Sequence, residues 1–283
     1  MISPYFTKLL EKEDITFDSV FTDNFSLAKE GRIQLLDQHL ETFFDHHKLQ
    51  EIWLFILDQL SLNEVLPFAK RNFKTYCIID VWSGIASLGK KLSPENIYLD
   101  QVGVEKYHFP FDERGFLKIL KEKDSSIIML TDQEIPENIY KSSTEEQLQI
   151  VDKALVEQPQ FLSLLDPENP DLFLVGTGSQ LEELVKLSQL LALHKENIAL
   201  GVCWTLEVLS IPALQQKFQK VKKIWIIIDH KPTSFFQSII PNKEVSFLSP
   251  NYQHITSISA EWSYAQTGFD AESLFRRSLA LLT

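Results

Sequence analysis

Cysteine is nearly missing from this chain: 283 residues hold two, Cys77 and Cys203. Both fall inside apolar runs that read as strands, TYCIID and IALGVCW. They are best read as small buried hydrophobes of a reducing compartment, not as a disulfide or a nucleophile. No window offers the roughly 18 to 20 uninterrupted apolar residues of a membrane-spanning helix. The N-terminus, MISPYFTKLLEKED, lacks a basic stretch followed by an apolar core, which speaks against a secretion signal and for the cytoplasm. Positive charge is also short. Lys and Arg number 27 against 39 Asp and Glu, a net charge of -12, and the acids are spread along the chain. A phosphate backbone demands basic surface, so nucleic acid is excluded as a general partner.

What is present is an alternation of strands and helices. Its clearest stretch is Asp171 to Leu193, DLFLVGTGSQLEELVKLSQLLAL. Leu172 to Val175 is a short continuous apolar run, long enough for a buried strand and too short for a helix. Gly176 and Gly178 suggest a sharp turn after it. Ser179, with Glu182 three residues on, reads as a capping box that opens a helix with Leu184, Leu187 and Leu191 on one face. Gly176-Thr177-Gly178 lacks the third glycine of a dinucleotide fingerprint.

The same reading along the chain gives strands at Ile15–Thr22, Glu51–Leu57, Thr75–Val81 and Ser126–Thr131, then at Leu172–Val175, Ile198–Trp204, Ile224–Asp229 and Val245–Leu248. Helices are expected at Ile2–Glu11, Leu60–Asn72, Phe111–Lys121 and Ala271–Leu282, the last capped by Asp270, with a turn and a helical stretch over Gly31–Lys48. Glu134 to Pro170 carries four of the twelve prolines and little strand signal, and reads as a crossing with a helix near Thr144–Val156. The expectation is an α/β protein of two domains, each a mostly parallel sheet covered by helices. The first spans residues 1–140, the linker 141–170 and the second domain 171–283.

Three collinear stretches resemble the second half of the transketolase family, enzymes that use thiamine diphosphate. IIMLTDQEIP (Ile127–Pro136) is similar to the strand-ending L-T-R-Q-x-x-P of transketolases. DLFLVGTGSQLEELVKLSQLLA is similar to the opening strand, turn and helix of their C-terminal domain. Gly268-Phe269-Asp270-Ala271-Glu272-Ser273 is similar to the closing G-L-D-A-E-x-I helix, and IWIIIDHKP to a strand ending in an acid and a histidine. The resemblance implies a pyrimidine-binding domain followed by a transketolase C-terminal domain. No G-D-G with a downstream asparagine occurs, so the diphosphate and its magnesium would be held by a partner subunit. The chain would form a homodimer, or a heterotetramer with that subunit, and together they would transfer a two-carbon ketol unit.

The resemblance also assigns residues. The family's G-I-A-E-Q glutamate bonds a pyrimidine ring nitrogen, and its counterpart here is Asp37 in Gln34-Leu35-Leu36-Asp37-Gln38, after Arg32. Asp37 and Gln38 would then touch the cofactor, with Glu41 the alternative acid. Asp37 is one methylene shorter than glutamate, and a displacement of about 1 Å can cost on the order of a hundredfold in rate. Asp37, Glu41 and Asp45 at helical spacing also read as one solvated face. His39, His46 and His47 point in different directions from a helix and share a metal poorly. Asp132 stands where the family has a phosphate-binding arginine, and a carboxylate there repels a phosphorylated sugar. The loop from Ser83 lacks the family's histidine-bearing continuation, His108 does not replace it, and the loop reads as a connection. Asp229-His230 reads as structural or interfacial. Phe43 and Phe44 are placed on an interface helix. These departures also fit a degenerate paralogue that assembles or regulates without catalysis, and the domain layout fits the beta subunit of a 2-oxo-acid dehydrogenase.

Overall fold

A computed structural model describes residues 17, 19–24, 28, 33–36, 52–58, 60, 62–81, 85, 106–110, 113–122, 124–130, 161–205, 208–209, 211–228, 245–250 and 259–282. Two sheets carry the chain. The first holds β1 (Ser19–Thr22), β2 (Gln34–Leu35), β3 (Ile52–Leu57), β4 (Thr75–Asp80), β5 (Lys106–His108) and β6 (Ser126–Met129), in the order β2-β1-β3-β4-β6-β5. All its pairings are parallel, with Ile52 to Leu57 running beside Thr75 to Asp80. The second holds β7 (Phe161–Leu165), β8 (Leu172–Thr177), β9 (Ile198–Cys203), β10 (Lys223–Ile227) and β11 (Val245–Leu248), in the order β11-β10-β8-β9-β7. Among the described strands only β7 is antiparallel, to β9. The α/β class with two helix-covered, mostly parallel sheets is thus what the chain adopts.

Alternate residues of each strand face opposite ways, so a strand between two helical layers must be apolar throughout. In the first sheet Trp53, Phe55 and Leu57 face helix α1 (Leu62–Asn72), together with Phe21, Tyr76 and Ile78. Leu54, Ile56, Cys77 and Ile79 face α2 (Glu113–Glu122) through Phe116, Leu117 and Leu120. Phe21 stacks on Trp53 at 4.4 Å between ring centroids, and Trp53 on Phe73 at 4.1 Å. In the second sheet Phe173, Val175 and Ala199 share a cluster with Leu214 and Phe218 of α4 (Pro212–Lys220). Leu172, Leu174 and Leu200 face α3 (Leu181–His194) and α6 (Ala271–Ala280), behind α5 (Ala260–Thr267).

Three local expectations are corrected. Gln34 and Leu35 form an edge strand with both side chains exposed, where a turn and an entering helix were expected. Phe161–Leu165, inside the proline-bearing stretch read as linker, is a strand of the second sheet. The capping box at Ser179 is not made. Gly178–Gln180 is a 3-10 turn, Ser179 Oγ lies 2.7 Å from Thr177 Oγ1, and no side chain caps α3. Glu182 instead reaches Lys186 at 2.9 Å. Asp270 does cap α6, accepting from the Ser273 amide at 3.1 Å.

Candidate functional site

In open parallel sheets ligands settle at the carboxyl ends of the strands, where the strand order reverses. In the first sheet that point lies between β1 and β3. The residues leaving it are Thr22-Asp23-Asn24 and Leu57-Asp58. Thr22 Oγ1 donates to the Ile56 carbonyl at 2.9 Å and accepts from the Asn24 amide at 3.1 Å. The Asp23 carboxylate accepts the backbone amides of Asp58 at 2.7 Å and Leu60 at 2.5 Å. Asn24 Nδ2 donates to Asp58 Oδ2 at 2.7 Å, straight across the reversal point. Asp80, at the end of β4, is fully buried beside Leu57.

Sequence reasoning passed over Asp23, Asn24, Asp58 and Asp80. Their signal was present: β1, β3 and β4 each end on, or one residue before, an aspartate, as FTD, ILD and IID. Asp58 and Asp80 are buried, and the carboxylates of Asp23 and Asp58 accept hydrogen bonds from the strand ends themselves. Among the described residues no group of three or more His, Cys, Asp or Glu is arranged to hold a metal ion.

Asp37, Gln38 and Glu41, and Asp132, lie outside the described residues, as do Phe43, Phe44, Asp229 and His230. Their entry points are visible. Leu36, the last described residue before Asp37, donates its amide to the Thr22 carbonyl at 2.7 Å at the carboxyl edge, beside β1. Leu130, the last described residue before Asp132, donates to the Asp80 carbonyl at 2.9 Å at the same edge. Strands β2 and β6 are four steps apart in the sheet. At about 4.8 Å per step the two exits are separated by roughly 19 Å.

The second sheet is different, because its carboxyl edge is filled. The turn leaving β5 sits on the ends of β8 and β9: Phe109 donates its amide to the Trp204 carbonyl. A Cβ on Gly178 would overlap the Phe109 carbonyl oxygen. Neither Gly176 nor Gly178 takes a positive φ. Both are glycine for close approach instead, Gly176 to Leu184 of α3 and Gly178 to the Phe109 backbone. A carbonyl oxygen pressed on that turn also removes it as a phosphate cradle. Trp204, 5% exposed, lies against Gly115 of α2, and Lys118 Nζ stands 6.0 Å from its ring centroid. His108 is buried at the end of β5, next to this junction.

The two thiols take no part. Cys77 accepts from Ser126 Oγ at 3.4 Å, and burial pushes its pKa up to about 12 against that hydrogen bond. Cys203 donates to the Gly176 carbonyl at 3.3 Å.

No protein-family model matches the chain, and no curated protein does. Solved structures do. A split-gene transketolase, an inactive beta4 tetramer, superposes with a TM-score of 0.67 at 11% identity, over 98% of this chain and 96% of that one. Transketolase from Campylobacter jejuni subsp. jejuni NCTC 11168 superposes with a TM-score of 0.59 at 9% identity. That match covers 81% of this chain, which spans 35% of the Campylobacter chain. At such identities the likeness is one of fold, and the fold is transketolase-like, as the three collinear stretches implied.

Proposed function

We propose that this chain supplies the pyrimidine side of a thiamine-diphosphate site and works beside a separate subunit that holds the diphosphate and magnesium. The observation that carries the reading is the end-to-end superposition on a split-gene transketolase chain. Residues 1–140 would form the pyrimidine-side domain and 171–283 the C-terminal domain, the second extended back to Phe161 by β7. Its place would be the cytoplasm.

The residues present fit one half of the cofactor. The amino group and protonated ring nitrogen of an aminopyrimidine are donors and call for carboxylates. Those of Asp23 and Asp58 at the β1–β3 edge already hold the strand ends together, so the acid would come from Asp37 or Glu41 beside them. Carboxylates do not suit a diphosphate, which needs a metal or backbone donors. When bound, the cofactor supplies a carbanion that adds to a ketose carbonyl. The chain's share is smaller: Asp37, or Glu41, would hold a proton at the ring nitrogen. Asp23 would keep the β3 exit loop in place by taking two of its amides. Asp132 leaves a sugar phosphate without its usual cation, so the donor would be unphosphorylated or its phosphate held by the partner.

A non-catalytic assembly subunit is the second reading. It is favoured by the Asn24–Asp58 hydrogen bond, which ties the strand ends together where a ligand would enter. A tetramer of this chain alone would then parallel the inactive beta4 form of the split-gene protein.

Calorimetry with thiamine diphosphate and magnesium tests both. The expected result is no tight binding to the chain alone and binding by the mixture with its diphosphate-domain partner. Ketol transfer by the mixture should fall about a hundredfold or more in Asp37→Ala and persist in Asp37→Glu. Tight binding by the isolated chain defeats the half-site reading. A mixture that binds cofactor yet never turns over establishes the non-catalytic one.

A further inference from the structure

One apolar cluster runs through both sheets, holding Trp53 and Phe55 of the first and Phe173 and Val175 of the second, and at the β5 edge the sheets are also joined by groups that the proposed site does not use. From the first come the Phe109–Pro110 turn, Gly115 of α2 and Ile85 of the loop after β4; from the second come Gly178 and Trp204. Phe109, Pro110 and Ile85 are buried, and Ile85 belongs to the same apolar cluster as Trp204 and the α3 face of the second sheet. The bond from the Phe109 amide to the Trp204 carbonyl joins main chain to main chain, so it does not depend on a rotamer.

Two glycines on opposite sides make the approach possible. A Cβ on Gly178 would strike backbone, which cannot swing aside. A Cβ on Gly115 would strike the Trp204 ring, packed in place with 5% exposure. Close-packed interiors do not absorb such overlaps. The junction also lies at the β5 edge of the first sheet, five strand steps or roughly 24 Å from the β2 edge. It can open without passing through the proposed site.

We propose that the turn after β5 is an interdomain latch. Gly178, Gly115 and Trp204 seat it, and while it is seated the two sheets open and close as one cooperative unit. This goes beyond the functional reading above and stands whether or not the chain binds a cofactor.

Native-state hydrogen exchange on the full chain, followed by mass spectrometry in low denaturant, tests it. Peptides from β4 and β9 report the two sheets. In the unaltered protein both should exchange at one common rate. Gly178→Ala and Gly115→Ala should each separate the two rates by at least tenfold. Gly176→Ala, a lesion inside the second sheet's own packing, should speed both equally, because the latch transmits it. Should Gly178→Ala fail to fold, the pair Gly115→Ala and Gly115→Ala/Trp204→Leu decides: trimming the indole should restore the common rate. The latch is overturned if the Gly115 and Gly178 variants keep one rate, if Gly176→Ala separates the rates as far as Gly178→Ala, or if the double variant is not restored.

Discussion

Single residues here are chosen for what they touch more than for the conformation they adopt, and glycine illustrates both cases. Gly268 ends α5 with φ +72°, a left-handed conformation, and its carbonyl accepts from Arg277 Nη1 at 3.2 Å. Gly268→Ala should cost about 1–2 kcal/mol from backbone strain alone, measurable by urea unfolding. Gly176 and Gly178 were legible as special, but not why, because a sequence shows a turn-former and not the backbone that will press on it. Cysteine was read correctly from its apolar neighbours. Cys77 and Cys203 should stay unlabelled by a thiol reagent at neutral pH until the protein unfolds. Burial raises the Cys77 pKa to about 12, so its contribution is intact below the ordinary thiol range and lost as pH climbs toward that value. Alkaline unfolding of Cys77→Ala should lack one thiol's share of the slope, about 1.4 kcal/mol per pH unit. The strand-end aspartates were missed because each looks ordinary until the sheet brings them to one edge.

Among elements, α6 shows how a helix end is completed by a distant one. Asp270 takes the Ser273 amide, and Glu183 of α3 takes the Ala271 amide at 2.8 Å while its other oxygen holds Lys186 at 2.8 Å. Two orphan amides of α6 are thus satisfied by carboxylates, which the helix dipole also favours. Asp270→Ala should cost about 1 kcal/mol, and Glu183→Ala about 1–2 kcal/mol, since it strips a charged partner from a buried helix start. Thermal melts of the single and double variants would check the near-additivity expected of two separate amides. Asp270 was visible as a cap because its partner is three residues away. Glu183 was not, because its partner is 88 residues away. Most of the apolar strands were likewise readable within a residue or two, the one near Val245–Leu248 among them. The short or marginal ones were not. β2 exposes both of its side chains, β5 has three residues, and β7 is an edge strand with a bulge lying among prolines.

At the scale of the whole molecule, the two-sheet plan followed from repeated alternation, whereas the way the sheets meet did not, since no local pattern encodes which strand end faces which. The described phenylalanines are mostly committed to these cores: Phe21, Phe55, Phe109, Phe116, Phe173, Phe218 and Phe269 are all but sealed from solvent. Light scattering of the purified chain should nevertheless return a mass well above 32.7 kDa if the chain assembles as the proposed function has it; a clean monomer at micromolar concentration would refute that. The strand order has one more consequence, for the order of events during synthesis. Among the described strands β5 pairs only with β6, which leaves the ribosome after it, and the turn beyond β5 finds its seat when Gly178 and Trp204 have followed. The first sheet can therefore close while Phe109 and Pro110 remain bare. For the time needed to translate the stretch up to Trp204, the nascent chain carries a folded sheet with an open apolar end, the kind of surface that chaperones grip and that halted chains use to stick to one another.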